Sequence, residues 1–357
     1  MIELSHLERG GGTWRLVRSE LPAPEELARE QVLVALEAAA VAEPELARAT
    51  GHRGAVAGIA GVGTVVRAGS GAEHLTGARV ALSPVIPCGE CARCRRGNPA
   101  VCPSRGAVGA GESEALASHV VARARWLCVL EPPIEVGGAP AALLGREAAL
   151  AYSLYARAGI APGERAVVLG RGAVARFAVE ILAAKGVLPA AVATDGDWAE
   201  IAGAAGAQVV RADPEPDPDA ILEALRERAP EEVGADAAGV IVETSGTAEL
   251  RGLALALARP GGTAVLAGDR SRSAPSAEPP GALGTAASEG ITLLGVPGPH
   301  PDLIPELAAM AARGDIDLAA AAAVAELDEI PAIAGKLARG ALPGRAGVAL
   351  FGGNDRL

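Results

Sequence analysis

Between Ala166 and Asp195 the chain carries the pattern that most restricts its fold: an apolar run, a glycine break, a helical stripe and a second apolar run closed by an acid. Ala166-Val167-Val168-Leu169 reads as a short buried strand. Gly170-Arg171-Gly172 breaks it. Val174, Phe177, Ala178, Ile181 and Leu182 then recur at i, i+3, i+4, i+7 and i+8, which is one face of a helix. Ala191-Val192-Ala193-Thr194 reads as the next strand and ends at Asp195. Val240-Ile241-Val242 and Ala264-Val265-Leu266 continue the series, with helical stretches over about 220–228 and 247–258 between them. Such alternation predicts an α/β fold of parallel strands joined by crossover helices. The Pro-, Asp- and Ser-rich segments 213–219 and 271–280 are expected in surface loops.

The first 150 residues have a different texture. Short apolar runs at 31–36, 63–66, 79–82 and 119–121 are separated by Gly, Pro and charge, as in a strand-rich domain. A length of 357 residues calls for about two domains, and a hydrophobic fraction of 50% can fill both cores. The Ala-rich runs break at Gly, Pro or charge, so no membrane span is expected. The opening MIELSHLERGGG has no basic-then-apolar leader, so a cytoplasmic setting is expected. Net charge −11 has the wrong sign for nucleic acid, and three Trp, two Tyr and two Phe offer little base-stacking surface.

Within the α/β half, Gly170-x-Gly172-x-x-Ala175 follows a strand and opens a helix, and Asp195 lies 25 residues after Gly170. The pieces form a dinucleotide-binding pattern. Gly170 permits the tight turn, Gly172 lets backbone approach a pyrophosphate, and Ala175 lets the helix pack closely on the sheet. Ala173 and Val174 place backbone N–H groups at the helix N-terminus. Asp195 would accept hydrogen bonds from ribose hydroxyls and repel a 2′-phosphate, which favours NAD(H) over NADP(H). The competing reading is a glycine turn kept for packing alone.

Four of the five cysteines, Cys88, Cys91, Cys94 and Cys102, fall within fifteen residues. Thiolates at these spacings close a tetrahedron around Zn²⁺, and four sulfurs leave no position open, so the ion would be structural. Reduced thiols without metal are the alternative. Cys128, in the apolar run 126–130, is expected to be buried and inert.

Together these features resemble the medium-chain dehydrogenase/reductase superfamily, specifically its zinc-dependent alcohol dehydrogenase branch. The run 58–66 (GIAGVGTVV) is similar to that family's Gly-His-Glu motif and its trailing Val-Gly-x-Val-Val, and 75–80 (LTGARV) to its Val-Gly-Asp-Arg-Val turn. Residues 87–102 resemble its structural zinc lobe, and Arg259-Pro260-Gly261-Gly262 its turn before a late strand. The resemblance implies a GroES-like β-barrel catalytic domain from 1–153 and 299–357, with the zinc lobe at about 87–103, and a Rossmann NAD-binding domain at 154–298. It also implies a small-molecule substrate and a homo-oligomer, dimer or tetramer.

Where the family holds a catalytic zinc, the resemblance places Ala42, Ile59, Ala60 and, within 143–152, Ala149, none of which can bind metal. The proton-relay positions have become Pro44 and Ala47. Three readings follow. The first is an NAD(H)-dependent oxidoreductase working without catalytic zinc, with Glu45, Arg146, Glu147 and Tyr152 as candidates for substrate contact or proton transfer. For these, the blander alternatives are an exposed Arg146–Glu147 helical pair and a packing role for Tyr152. The second is an inactive relative acting as a binding or assembly subunit. The third is a conventional alcohol dehydrogenase with displaced ligands, needing His52 or another histidine, although His6, His74, His119 and His300 show no ligand spacing.

Overall fold

The computed structural model describes residues 2–41, 60–104, 106–107, 116–130, 136–213, 215, 217–227, 239–267 and 282–352. The chain divides into two compact units, Met1–Ala149 with Pro299–Leu357, and Leu150–Gly298.

The first unit opens with a hairpin of β1 (Ile2–Gly10) and β2 (Thr13–Leu21), turned at Gly11 and Gly12, both at positive φ. Its signal is the alternation of Ile2, Leu4 and Trp14, Leu16 about a Gly-Gly-Gly run. There follow β3 (Gln31–Val41), β4 (Gly61–Ala68), β5 (Arg79–Leu82), β6 (Val85–Ile86), α1 (Ala92–Arg95), β7 (Gly106–Ala107), β8 (Leu116–Ala117), β9 (His119–Arg123) and β10 (Leu127–Val129). The long β3 breaks register twice against β4, between Leu33 and Val34 and between Leu36 and Ala38. Such irregularities bend a strand, and here they curl the sheet into a half-barrel. A 3₁₀ turn, Ala139–Gly145, then leads into α2 (Glu147–Ala158).

In the second unit β11 (Arg165–Leu169), α3 (Ala173–Ala184), β12 (Leu188–Ala193), α4 (Gly196–Ala204), β13 (Gln208–Arg211), α5 (Pro218–Glu227), β14 (Val240–Glu243), α6 (Ala248–Leu257), β15 (Thr263–Ala267), α7 (Ala282–Ser288) and β16 (Thr292–Val296) alternate as expected. All six strands are parallel, in the order β13-β12-β11-β14-β15-β16. That is the doubly wound order, with its reversal between β11 and β14, where ligands of such sheets bind. The core joins Val167, Leu169, Val192, Ile241, Leu253 and Leu257. Phe177, Ala178, Ile181 and Leu182 of α3 are buried as the periodicity requires. The segment 213–219 is only partly loop, because Pro218 begins α5; residues 271–280 lie outside the described residues.

The chain then returns to the first unit through α8 (Ile304–Arg313), α9 (Leu318–Ala321), β17 (Ala322–Glu326), α10 (Ile330–Ala338) and β18 (Ala346–Leu350). β18 pairs antiparallel with β3, completing the sheet order β10-β5-β4-β3-β18-β17, with β9 also on β3. Leu7, Val34, Val41, Val80, Leu82, Ile330 and Leu337 form its core. No described helix is long and apolar enough to cross a membrane.

Candidate metal centre and dinucleotide turn

The cysteine lobe is one short excursion between β6 and β7. Its four Sγ atoms all lie within 4.8 Å of one another. The Cys88–Cys102 and Cys91–Cys94 separations are 3.5 Å, Cys91–Cys102 is 3.9 Å and Cys88–Cys94 is 4.0 Å. Sulfurs about 2.3 Å from a tetrahedral Zn²⁺ stand about 3.8 Å apart, so this cluster has the dimensions of a four-thiolate zinc cage. Backbone amides aim at the sulfurs as well: Cys91 N donates to Cys88 Sγ and Cys88 N to Cys102 Sγ, both at 3.4 Å, and Cys94 N to Cys91 Sγ at 3.5 Å. The amides of Glu90 and Cys91 draw the Cys88 thiol down to about 6, while burial pushes Cys94 up to about 12. Outer donors of this kind fix thiolates for a metal.

The lobe is tied to the strand region behind it. Trp126 Nε1 donates to Pro87 O at 2.9 Å, and the Arg125 guanidinium stacks 4.4 Å from the Trp126 ring centroid. Gly89 has φ +80, and a Cβ there would overlap that guanidinium. Cys128 is buried with its thiol pushed up to about 11 by desolvation, as an inert core cysteine should be.

In the second unit, Gly170 ends β11 at φ +119. Leu169 is in register with Glu243, so the backbone after β14 runs beside the turn: Thr244 donates to Leu169 O through N at 3.0 Å and Oγ1 at 2.8 Å. A Cβ on Gly170 would overlap Thr244 Oγ1, whereas one on Gly172 would meet nothing within 4 Å. The space before Gly172 is thus open where α3 begins, and Gly172 caps that helix without any side-chain acceptor for its N–H groups. Ala173 and Ala175 are buried, Val174 half-buried. Asp195 follows β12 and caps α4, its Oδ1 accepting from Trp198 N at 2.8 Å. Its Oδ2 is buried without a hydrogen bond, although Arg171 Nη1 stands 3.2 Å away. An open backbone cradle and an unfilled carboxylate oxygen fit a pyrophosphate and a ribose hydroxyl.

Arg171, Glu243 and Thr244 had no assigned role on sequence grounds. Glu243 is fully buried at the end of β14, its Oε1 accepting from Ser245 N and Oγ at 2.6 Å and from Gly246 N at 2.8 Å. Burial raises its carboxyl, against the pull of those donors and of Arg251. Polar residues directly after a central parallel strand were the available signal.

Of the positions corresponding to catalytic-zinc ligands and relay, Ala42, Pro44, Ala47 and Ile59 lie outside the described residues, as do Glu45 and His52. Ala60 and Ala149 are buried methyl groups. The chain that stands against Ala60 is Gly145, where a Cβ would come 3.2 Å from the Ala60 Cβ and overlap Leu82 O. Neither Ala60 nor Gly145 offers a ligand atom. The exposed-pair reading of Arg146 and Glu147 is corrected by the structure: their side chains are 12% and 1% exposed, joined at 2.9 Å, with Glu147 Oε2 buried and unbonded. Tyr152 lies in the second unit, edge-on to Tyr155 at 5.6 Å with Lys185 Nζ 5.2 Å from its ring centroid, which is a packing environment. His119 is buried with Nδ1 3.0 Å from Ser118 Oγ, and burial lowers its pKa.

Residues 28–132 match the family model of the alcohol dehydrogenase GroES-like domain. An alcohol dehydrogenase of Moraxella sp. (strain TAE123) is 28% identical over 294 residues, 81% of each chain. The chain thus carries a GroES-like domain of the alcohol dehydrogenase kind. The GroES-like match runs from before β3 to beyond β10 and takes in the whole cysteine lobe. The alcohol dehydrogenase TADH from Thermus sp. ATN1 superposes with TM-score 0.81 at 22% identity, over 98% of this chain and 99% of that one. A crystal structure of an NAD-dependent alcohol dehydrogenase gives 0.79 at 22%, over 99% and 100%. At such identity the likeness is one of fold.

Proposed function

We propose that this chain is an NAD(H)-dependent oxidoreductase that exchanges hydride with a small organic substrate and works without a catalytic zinc. The observation that carries the cofactor half is the turn itself: Gly170 pressed against Thr244, open space before Gly172, and Asp195 Oδ2 left unbonded beyond the second strand. Gly172, Ala173, Val174 and Ala175 would hold the pyrophosphate by their backbone and Asp195 the adenosine ribose. A structural neighbour named as NAD-dependent is consistent with this. When bound, the nicotinamide supplies or accepts the hydride.

The zinc-free half is supported by the residues at the emptied positions. Buried Ala60 and Ala149 cannot hold a Lewis acid, and Gly145 beside Ala60 cannot replace them. Without a metal to polarise oxygen, the substrate must carry its own electron sink, as an activated alkene, quinone or iminium does. Arg146, held by Glu147, is the charged group next in sequence to Gly145 and is proposed to orient the substrate. Cys88, Cys91, Cys94 and Cys102 would hold one structural Zn²⁺, and the reducing cytoplasm in which we place the chain leaves such thiols available. A dimer or tetramer is proposed by analogy with the family.

Titration of the purified full-length chain with NADH, read by nucleotide fluorescence, tests the reading. Saturable binding, followed by oxidation of the bound NADH by a quinone or an activated alkene, is expected. Binding without turnover across such acceptors would favour the inactive binding-subunit alternative, and no binding would refute the cofactor assignment.

A further inference from the structure

We infer that Cys88 and Cys91 are oxidation sites, at which a hydroperoxide turns the cysteine cage into two disulfides, Cys88–Cys102 and Cys91–Cys94, and so expels its zinc. The inference rests on the four-thiolate reading of the lobe.

A cavity of about 600 Å³ lies against the lobe, walled by Pro87, Cys88, Glu90, Cys91, Ser104 and Arg123 among others. Glu90, Ser104 and Arg123 are exposed, so the cavity faces solvent, and Cys88 and Cys91 are half-buried in its wall. Cys94 and Cys102 do not line it, and Cys102 is buried. A small reagent entering there meets two of the four sulfurs. Each of those two has a near neighbour outside the cavity wall: Cys102 Sγ is 3.5 Å from Cys88 Sγ, and Cys94 Sγ is 3.5 Å from Cys91 Sγ. The crossed separations are longer, 3.9 Å for Cys91–Cys102 and 4.0 Å for Cys88–Cys94. Since a disulfide closes to about 2.0 Å, the two shorter pairs need the least movement.

The chemistry balances with hydrogen peroxide as the oxidant. The Cys88 thiolate attacks one peroxide oxygen, the O–O bond breaks, hydroxide leaves, and a sulfenic acid results. The Cys102 thiolate then attacks that sulfur, the S–O bond breaks, and a second hydroxide leaves as the disulfide forms. Two thiolates lose two electrons and one peroxide accepts them; Cys91 and Cys94 react with a second peroxide in the same way. Ser104 and Arg123 bring a hydroxyl and a guanidinium to the cavity wall, donors suited to a departing hydroxide, against the single carboxylate of Glu90. With both pairs joined no thiolate remains, and a cage of four sulfurs has no ligand left for Zn²⁺. Cys128, buried in the strand region, is the internal control and should stay reduced.

The test treats the full-length, reduced chain with hydrogen peroxide beside a zinc-indicator dye, then locates disulfides by tandem mass spectrometry of the digested lobe. Release of close to one zinc ion per chain is expected, with Cys88–Cys102 and Cys91–Cys94 as the disulfides and Cys128 still a thiol. Ser104→Trp, which narrows the cavity, should load zinc normally and release it about threefold or more slowly. A chain that keeps its zinc under peroxide would overturn the inference, as would a Cys88–Cys91 or crossed pairing, or an unchanged rate in Ser104→Trp. A chain that carries no zinc before treatment would instead refute the four-thiolate reading, and the inference with it.

Discussion

Gly170→Ala puts the geometry of the dinucleotide turn to a quantitative test. At φ +119 an L side chain is strained, at a cost of about 1–3 kcal/mol. The new methyl would also overlap Thr244 Oγ1, forcing that hydroxyl off Leu169 O, a bond of 2.8 Å whose loss costs about 1 kcal/mol. The sum is about 2–4 kcal/mol, or roughly 5–15 °C in Tm for a unit of this size. Thr244→Ala alone forfeits only the hydrogen bond, about 1 kcal/mol. In the double variant the overlap is gone, since Thr244 Cβ stands an ordinary 3.5 Å from the added methyl, and only the backbone strain and a hydrogen bond already lost remain. The double variant should therefore be more stable than the sum of the singles by about 1 kcal/mol. Thermal unfolding followed by circular dichroism reads all four proteins, with NADH titration on each. If Gly170→Ala unfolds with the parent, or the cycle is strictly additive, the close approach of β14 to the turn does not exist as described.

Other substitutions probe the remaining buried charge. Arg146→Ala strands Glu147, whose side chain is 1% exposed, and should cost about 3–5 kcal/mol in urea unfolding. Arg146→Ala with Glu147→Gln should recover part of that loss, and no recovery would mean that the pair is not electrostatically linked. Glu243 has its carboxyl raised by burial, so the folded state holds that proton more tightly than the unfolded one, and its contribution to stability falls as pH rises through the carboxylate range. Glu243→Gln removes this term while keeping an acceptor for Ser245 and Gly246. Its Tm relative to the parent should climb from about pH 4 to pH 7. A relative Tm that falls over that interval would contradict the assignment.

The strand–turn–helix rhythm of the second unit was legible because parallel strands buried on both faces read as short apolar runs, and the glycines interrupt them at the required place. The cysteine lobe was legible because ligand spacing is local. What the sequence did not show depends on contacts distant along the chain. Val34 and Leu36 revealed a strand, but not that β18, some three hundred residues later, completes the sheet against β3. Arg146 and Glu147 look like a solvated pair in one dimension and prove nearly buried. The ion pair of Arg171 with Asp195 depends on β12 bringing the acid round to the turn, which spacing along the chain does not show.

Zinc content of the purified chain tests the central claim most directly, measured beside a Cys91→Ser variant. The account predicts close to one zinc ion per chain in the parent and close to none in the variant, because the cysteine cage is the single site proposed. Close to two ions per chain in the parent, with one retained by Cys91→Ser, would contradict it.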